Sequence, residues 1–260
     1  MADISANETD AAEPPTIRAI TGDDISDSIR DGIADFAAYP ALGLFFGAVY
    51  ALGGMLITVL ALRYDLVWTV FPAIAGFVLI GPFIAVGLYE ISRRRARGET
   101  FSTSDILVSV YRQSGREIVI LGAALLFALA VWLRIAGLIY ALVFGAEVVT
   151  VDVLISEMVT TPQGLLFALL GNGAGALIAL FVFSISVVSF PMLVDRDVDF
   201  VTAIVTSLRV VVESPFPMIG WGILVVFILA VAIMPFFIGL VVALPILGHA
   251  TWHLYRRAVH

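Results

Sequence analysis

The chain has 260 residues, of which 61% are hydrophobic and only 13% are charged, against roughly 25% charged in a soluble domain. Its mean hydropathy is +1.06. The net charge is −7, which excludes a basic nucleic-acid surface, and the absence of cysteine excludes disulfides, thiolate metal sites and cysteine nucleophiles.

Residues 1–21 are acidic and poor in apolar side chains, and are expected to form a disordered cytoplasmic tail. Residues 22–260 read as one all-α membrane domain, a polytopic helix bundle. The composition predicts six spans at about 41–62, 66–89, 118–140, 164–190, 216–234 and 236–254. The last two are inferred from the 42 residues between Glu213 and Arg256 that carry no Asp, Glu, Lys or Arg. As one helix that run would measure roughly 63 Å, about twice the hydrocarbon thickness of a bilayer. It is expected to turn near Met234-Pro235-Phe236-Phe237-Ile238-Gly239, where Pro interrupts the ladder and Gly permits a turn. Residues 146–163 read as an outer loop.

Every one of the 14 basic residues is an arginine, and in a six-span arrangement all but Arg63 and Arg134 lie on the side that holds both termini. The positive-inside rule makes that side cytoplasmic, which fits a bacterial inner membrane. The odd-numbered spans are preceded by amphipathic stretches. Ile25, Ile29, Ile33 and Phe36 oppose Asp24, Asp27, Arg30, Asp31 and Asp35; Asp105–Arg116 is a looser case; and Phe200, Ile204, Leu208 and Val211 form the third. Such helices lie in the interface plane with their apolar faces toward lipid. The even-numbered spans end alike, in Pro82 followed by Tyr89, Arg93 and Arg94, in Pro191 followed by Asp195 and Arg196, and in Pro245 followed by Trp252, Arg256 and Arg257. The chain thus reads as an internal repeat of three hairpins, each preceded by a surface helix.

Four blocks of residues carry a family likeness: Leu44-Phe45-Phe46-Gly47-Ala48-Val49-Tyr50, Gly81-Pro82-Phe83 with Gly87-Leu88-Tyr89-Glu90, Pro191-Met192-Leu193-Val194-Asp195-Arg196, and Gly248-His249-Ala250-Thr251-Trp252-His253-Leu254-Tyr255-Arg256. Over roughly residues 23–259 the chain resembles a bacterial family of predicted integral membrane proteins with a domain of unknown function. The resemblance implies a six-span inner-membrane protein and carries over no catalytic residue. Members of that family are sometimes labelled similar to cytochrome c oxidase subunit I. The three histidines of this chain are too few for that subunit's set of ligands, so the label does not suit it.

Four groups of polar residues are candidates for chemistry. His249 and His253 stand at i and i+4 on one helix face, a spacing at which two imidazoles can share a metal, a haem iron or a proton. The repeat brings Glu90 and Asp195 to the same depth, and the plainer reading of all four is an interfacial set, with Trp252 and Tyr255 in an aromatic belt. Asn172, in Gly171-Asn172-Gly173-Ala174-Gly175, marks a midplane polar site, either a broken helix that coordinates solute or close packing through small residues. Gly43 and Gly47 repeat the packing spacing. Arg134, alone in an apolar stretch, is expected to pair with Glu147 or Asp152. Arg93, Arg94, Arg95, Arg97, Arg256 and Arg257 set the topology and contact anionic phospholipid headgroups.

No nucleophile elbow, zinc-protease helix, phosphate-binding loop or dinucleotide fingerprint occurs, so no enzymatic activity and no resident cofactor are expected. The leading expectation is a structural or accessory protein that binds lipid or another membrane protein. A small-solute carrier or channel is the alternative, and a haem or metal protein using His249 and His253 a weaker one.

Overall fold

The computed structural model describes residues 15–64, 66–113, 115–145 and 150–260. Among them all regular structure is helical, apart from one isolated antiparallel bridge between Ile17 and Val259. In chain order the helices are α1 (Gly22–Ala38), α2 (Pro40–Arg63), α3 (Val67–Leu79), α4 (Gly81–Ile84), α5 (Val86–Ala96), α6 (Thr103–Gln113) and α7 (Arg116–Phe144). They continue as α8 (Val151–Thr160), α9 (Pro162–Ser186), α10 (Ser189–Asp195), α11 (Phe200–Glu213), α12 (Pro215–Ile233) and α13 (Leu240–Ala258). Four stretches are long and apolar enough to cross a membrane: Pro40–Arg63, Arg116–Phe144, Pro162–Asp195 and Pro215–Ile233. They expose large apolar side chains such as Leu52, Phe127, Leu142, Leu177 and Phe227. Such a belt is a liability in water but the expected outer surface of a bundle in lipid.

The surface helices fix the assembly. Helix α1 packs on α13, α6 on α5, and α11 on α9 and α10, while α5, α10 and α13 also touch one another. The corners that join α1 to α2 and α11 to α12 have nearly the same backbone, with φ −131° and ψ 56° at Tyr39 and φ −132° and ψ 57° at Ser214. Each corner residue donates its N–H to the carbonyl four residues back, and each precedes a proline that opens the next helix, the first-turn position where Pro sacrifices no hydrogen bond.

Helices α1 and α11 bury small and polar residues and leave much of their aliphatic surface outside. Helix α1 buries Ser28, Gly32 and Asp35 and leaves Ile33 exposed; α11 buries Ala203, Thr206, Ser207, Val210 and Val211 and exposes Val201, Val205 and Val212. In water this amphipathicity would be inside out. Beside a bilayer it is favourable, because lipid solvates the aliphatic stripe and the protein takes the small and polar one.

Interrupted helices leave backbone groups without partners, and neighbouring elements supply them. At the α3–α4 break Tyr50 donates its hydroxyl to the Phe77 carbonyl at 2.5 Å. At the α9–α10 break the Ser207 hydroxyl enters the ladder. It donates to the Ser184 carbonyl at 2.7 Å and accepts from the Val188 N–H at 3.2 Å. Helix α13 runs unbroken through Pro245. The Val241 carbonyl that Pro245 cannot serve lies against Gly47, where an added Cβ would sit 2.3 Å from that oxygen.

Three expectations need correction. The described part of the tail, residues 15–21, is docked: Ile20 is 4% exposed, its N–H donates to Ser214 Oγ at 2.8 Å, and the Arg18 N–H donates to the Ala258 carbonyl. Thr21 and Asp24 then form a capping box for α1. The outer loop contains α8, whose Leu154 packs with Tyr140 and Phe144. In the turn before α13 the left-handed residues are Phe236 (φ 49°) and Phe237 (φ 67°) rather than Gly239, a strained choice for bulky side chains. Phe237 is buried against Gly54, while Gly239 is needed where the backbone of Ala232 approaches it.

Two glycines with the same sequence spacing should therefore behave oppositely. Gly47→Ala meets backbone and is expected to cost about 1–3 kcal/mol, read as a lower melting temperature in detergent. Gly171→Ala meets no atom within 4 Å and is expected to be neutral or stabilising by helix propensity.

Candidate functional site

The largest concentration of buried polar groups lies where α1, α5 and α13 meet. Its centre is Asp35, whose side chain is 3% exposed. Ser92 and Arg95 of α5 both donate to its carboxylate, and His253 Nε2 lies 2.9 Å from Oδ2. His249 Nδ1 is 2.8 Å from Ser92 Oγ and 3.9 Å from Asp35 Oδ2. The tautomers follow from proton counting. Ser92 uses its single hydrogen on Asp35, so His249 donates from Nδ1 to Ser92, and its buried Nε2 meets no hydrogen-bond partner among the described residues. His253 donates from Nε2.

Local sequence explains the convergence. Ser28, Gly32 and Asp35 form one stripe of α1, and Gly32 lets the helices approach until an added Cβ would lie 2.7 Å from the Ala250 backbone nitrogen. That places Asp35 beside the i, i+4 histidine face of α13, which the sequence pointed to. On α5 Ser92 and Arg95 are three residues apart and share a face. Burial pushes the Asp35 carboxyl up, but the hydrogen bonds from His253 and Ser92 outweigh it and hold the group down at about 2.

The structure does not bring Glu90 and Asp195 to the histidines. Glu90, itself buried, receives Arg93 Nε at 2.7 Å, Arg93 Nη2 at 2.8 Å and Arg94 Nε at 2.6 Å. Asp195 receives Arg256 at 2.7 Å, the Tyr255 hydroxyl at 3.0 Å and Arg97 at 3.1 Å. Asp31 holds Arg257 at 2.6 Å. Each acid is nearer to arginines of its own membrane boundary than to an imidazole. Among the described residues no group of three or more His, Cys, Asp or Glu is placed to hold a metal ion. The six arginines expected to contact headgroups thus differ: Arg93, Arg94 and Arg257 are largely covered, Arg95 is partly exposed while bound to Asp35, and Arg97 and Arg256 are about half exposed at 48% and 47%. Trp252 and Tyr255 are buried rather than belted around the surface.

Asn172 is exposed on α9 and bonds back to the Ala168 carbonyl of its own helix at 2.8 Å, while Gly171 and Gly173 face open space. Its amide is thus engaged within its own helix. Arg134 is exposed and makes no ion pair with Asp152 among the described residues; Glu147 lies outside them. Sequence reasoning missed Asp35, Ser92 and Arg95 as one site. The available signal was the Ser28–Gly32–Asp35 stripe, small residues and an acid at helical spacing.

Asp35→Ala removes the acceptor shared by Arg95, Ser92 and His253 and is expected to cost about 3–5 kcal/mol, the usual penalty for breaking a buried ionic pair. Because the folded carboxyl is held below its ordinary value near 3.9, its stabilisation is complete above about pH 4. It is lost as pH falls toward about 2. Thermal melting in detergent across that window should show an acid limb that Asp35→Asn flattens.

Residues 70–195 match the family described as predicted integral membrane protein (DUF2189). The matched stretch contains Ser92, the arginine run and Asp195, and leaves out Asp35, His249 and His253. The chain matches no curated protein and no solved structure. The family match, the apolar belt and the spanning helices together make this chain an integral membrane protein, similar over residues 70–195 to a family whose function is unknown.

Proposed function

We propose that the protein is a non-enzymatic scaffold of the bacterial inner membrane, with six crossings, cytoplasmic termini, and a cytoplasmic face that holds anionic lipid or another membrane protein. In this reading α3–α5 form the second crossing and α13 with its preceding turn the sixth, completing three hairpins, each entered from an interfacial helix. The matching Tyr39 and Ser214 corners support the internal repeat, as does the way each interfacial helix leans on the end of another unit.

One observation carries the functional reading: the backbone groups freed at helix breaks are used internally. A carrier would need such groups for solute, whereas here Tyr50 and Ser207 take them. The buried carboxylate–arginine pairs gather around α1, α5, α10 and α13. One hollow of about 370 Å³ is apolar and lies against α1, α12 and α13. Arg97 and Arg256, half exposed beside Asp195, are two cations placed to face headgroups, each worth about 1 kcal/mol of attraction to an anionic surface.

Proteoliposomes are expected to swell in small-solute gradients at the protein-free rate, and accelerated swelling with any solute of a broad panel would overturn the scaffold reading in favour of a carrier. In the same vesicles Arg97→Gln with Arg256→Gln should weaken association with spin-labelled phosphatidylglycerol several-fold. An unchanged label spectrum in a folded variant would remove the anionic-lipid part.

A further inference from the structure

The hollow between α1, α12 and α13 has a composition and a rim that specify a ligand. Ile29 and Ile33 of α1 form one wall and Ile228 of α12 another; Val242, Ala243 and Ile246 of α13 form the floor. Two of its lining residues are small, Gly239 and Ala243, and at Gly239 an added Cβ would meet the Ala232 backbone of α12 at 2.7 Å. None of the lining residues carries a charge, and Ile33 and Val242 are half exposed at its mouth, so the hollow opens toward the medium that surrounds the apolar belt.

The rim lies on α1. At 100° per residue, Arg30 follows the Ile29–Ile33 stripe by about 60° and Asp27 by about another 60°. Arg30 is 74% exposed and pairs with Asp27 at 2.7 Å. The apolar wall therefore passes directly into one exposed cation beside one exposed anion. The other charges on α1 are acids: Asp23, Asp24, Asp31 and Asp35. Asp24, Asp31 and Asp35 are each bound to an arginine, Arg18, Arg257 and Arg95 respectively. An anionic headgroup over this helix meets more negative than positive charge. A zwitterionic one is complementary, its phosphate toward Arg30 and its ammonium toward Asp27.

We infer that this groove is a phospholipid site, taking one acyl chain between α1, α12 and α13 and a zwitterionic headgroup over the Arg30–Asp27 pair. The inference deepens the lipid-binding part of the proposed function but uses a different face from Arg97 and Arg256 and the opposite headgroup preference. The site tethers α1, the helix that also carries Asp35, to the surrounding leaflet.

The test is native mass spectrometry of the full-length protein released from nanodiscs made of equal phosphatidylethanolamine and phosphatidylglycerol. Wild type is expected to retain one phosphatidylethanolamine in preference to phosphatidylglycerol. Val242→Trp, at the half-exposed mouth, should lower that retention about tenfold or more by excluding the chain's methylenes, with melting unchanged. Arg30→Ala should keep a bound lipid but lose the headgroup preference. Retention undiminished in Val242→Trp, or a wild-type preference for phosphatidylglycerol, would overturn the inference. If Val242→Trp fails to fold, Ala243→Phe reads the same exclusion from the floor. Weakened phosphatidylglycerol association in the Arg97 and Arg256 variant is independent of these outcomes, so either lipid claim can fail without the other.

Discussion

In hydrocarbon every backbone N–H and C=O must find a partner inside the protein, because no water is there to supply one. This chain places prolines and small residues where helices are interrupted, so the requirement falls on neighbouring helices. Tyr50 answers for Phe77, and Ser207 answers for Ser184 and Val188 together. At Val241 the freed oxygen is met by the bare backbone of Gly47, a contact of the weak Cα–H···O kind. Each interruption thus dictates which helix must be adjacent and how closely. The packing of α2 on α3 and α13, and of α11 on α9 and α10, follows from these contacts more than from matching of apolar faces, for which lipid competes equally well.

Ionic groups then fix what the backbone leaves free. Asp35, Glu90 and Asp195 sit on α1, α5 and α10, and each is met by arginines at the same membrane boundary. Buried charges of this kind contribute little net stability but penalise every alternative register, since a shift of one turn would strand a carboxylate. For α1 the constraint is sharp. Its core face is Ser28, Gly32 and Asp35, which offers little apolar area, so Asp35 and the Asp31–Arg257 pair hold most of what specifies its position.

Periodicity and composition made the apolar runs legible, and the four stretches able to span fall where charge-free runs occur. The i, i+4 histidines were legible as a face. Their partner was not, because Asp35 belongs to the polar side of an amphipathic helix, and polar sides are ordinarily assigned to water. Beside lipid the assignment inverts, and the same inversion hides Ser207. The repeat pointed to Glu90 and Asp195 as neighbours of the histidines by depth alone. Depth says nothing about direction, and each acid is taken by arginines close to it in sequence or across the boundary. Gly171 and Gly47 show the same limit: equal spacing, yet one faces open space and the other a carbonyl.

The two ends of the bundle differ in kind, and that difference bears on function. Around α8 the contacts are aromatic and aliphatic, with Leu154 against Tyr140 and Phe144. At the opposite boundary lie the carboxylate–arginine pairs, the two α13 histidines, the docked residues 15–21 and the three helices that present aliphatic faces to lipid. The buried carboxylate–arginine pairs thus concentrate where α1, α5, α10 and α13 meet, beside helices that leave aliphatic side chains such as Ile33, Val205 and Val212 exposed. Buried polar pairing and exposed aliphatic surface thus meet in the same elements, and α1, which contributes Asp35 to the first and Ile33 to the second, belongs to both.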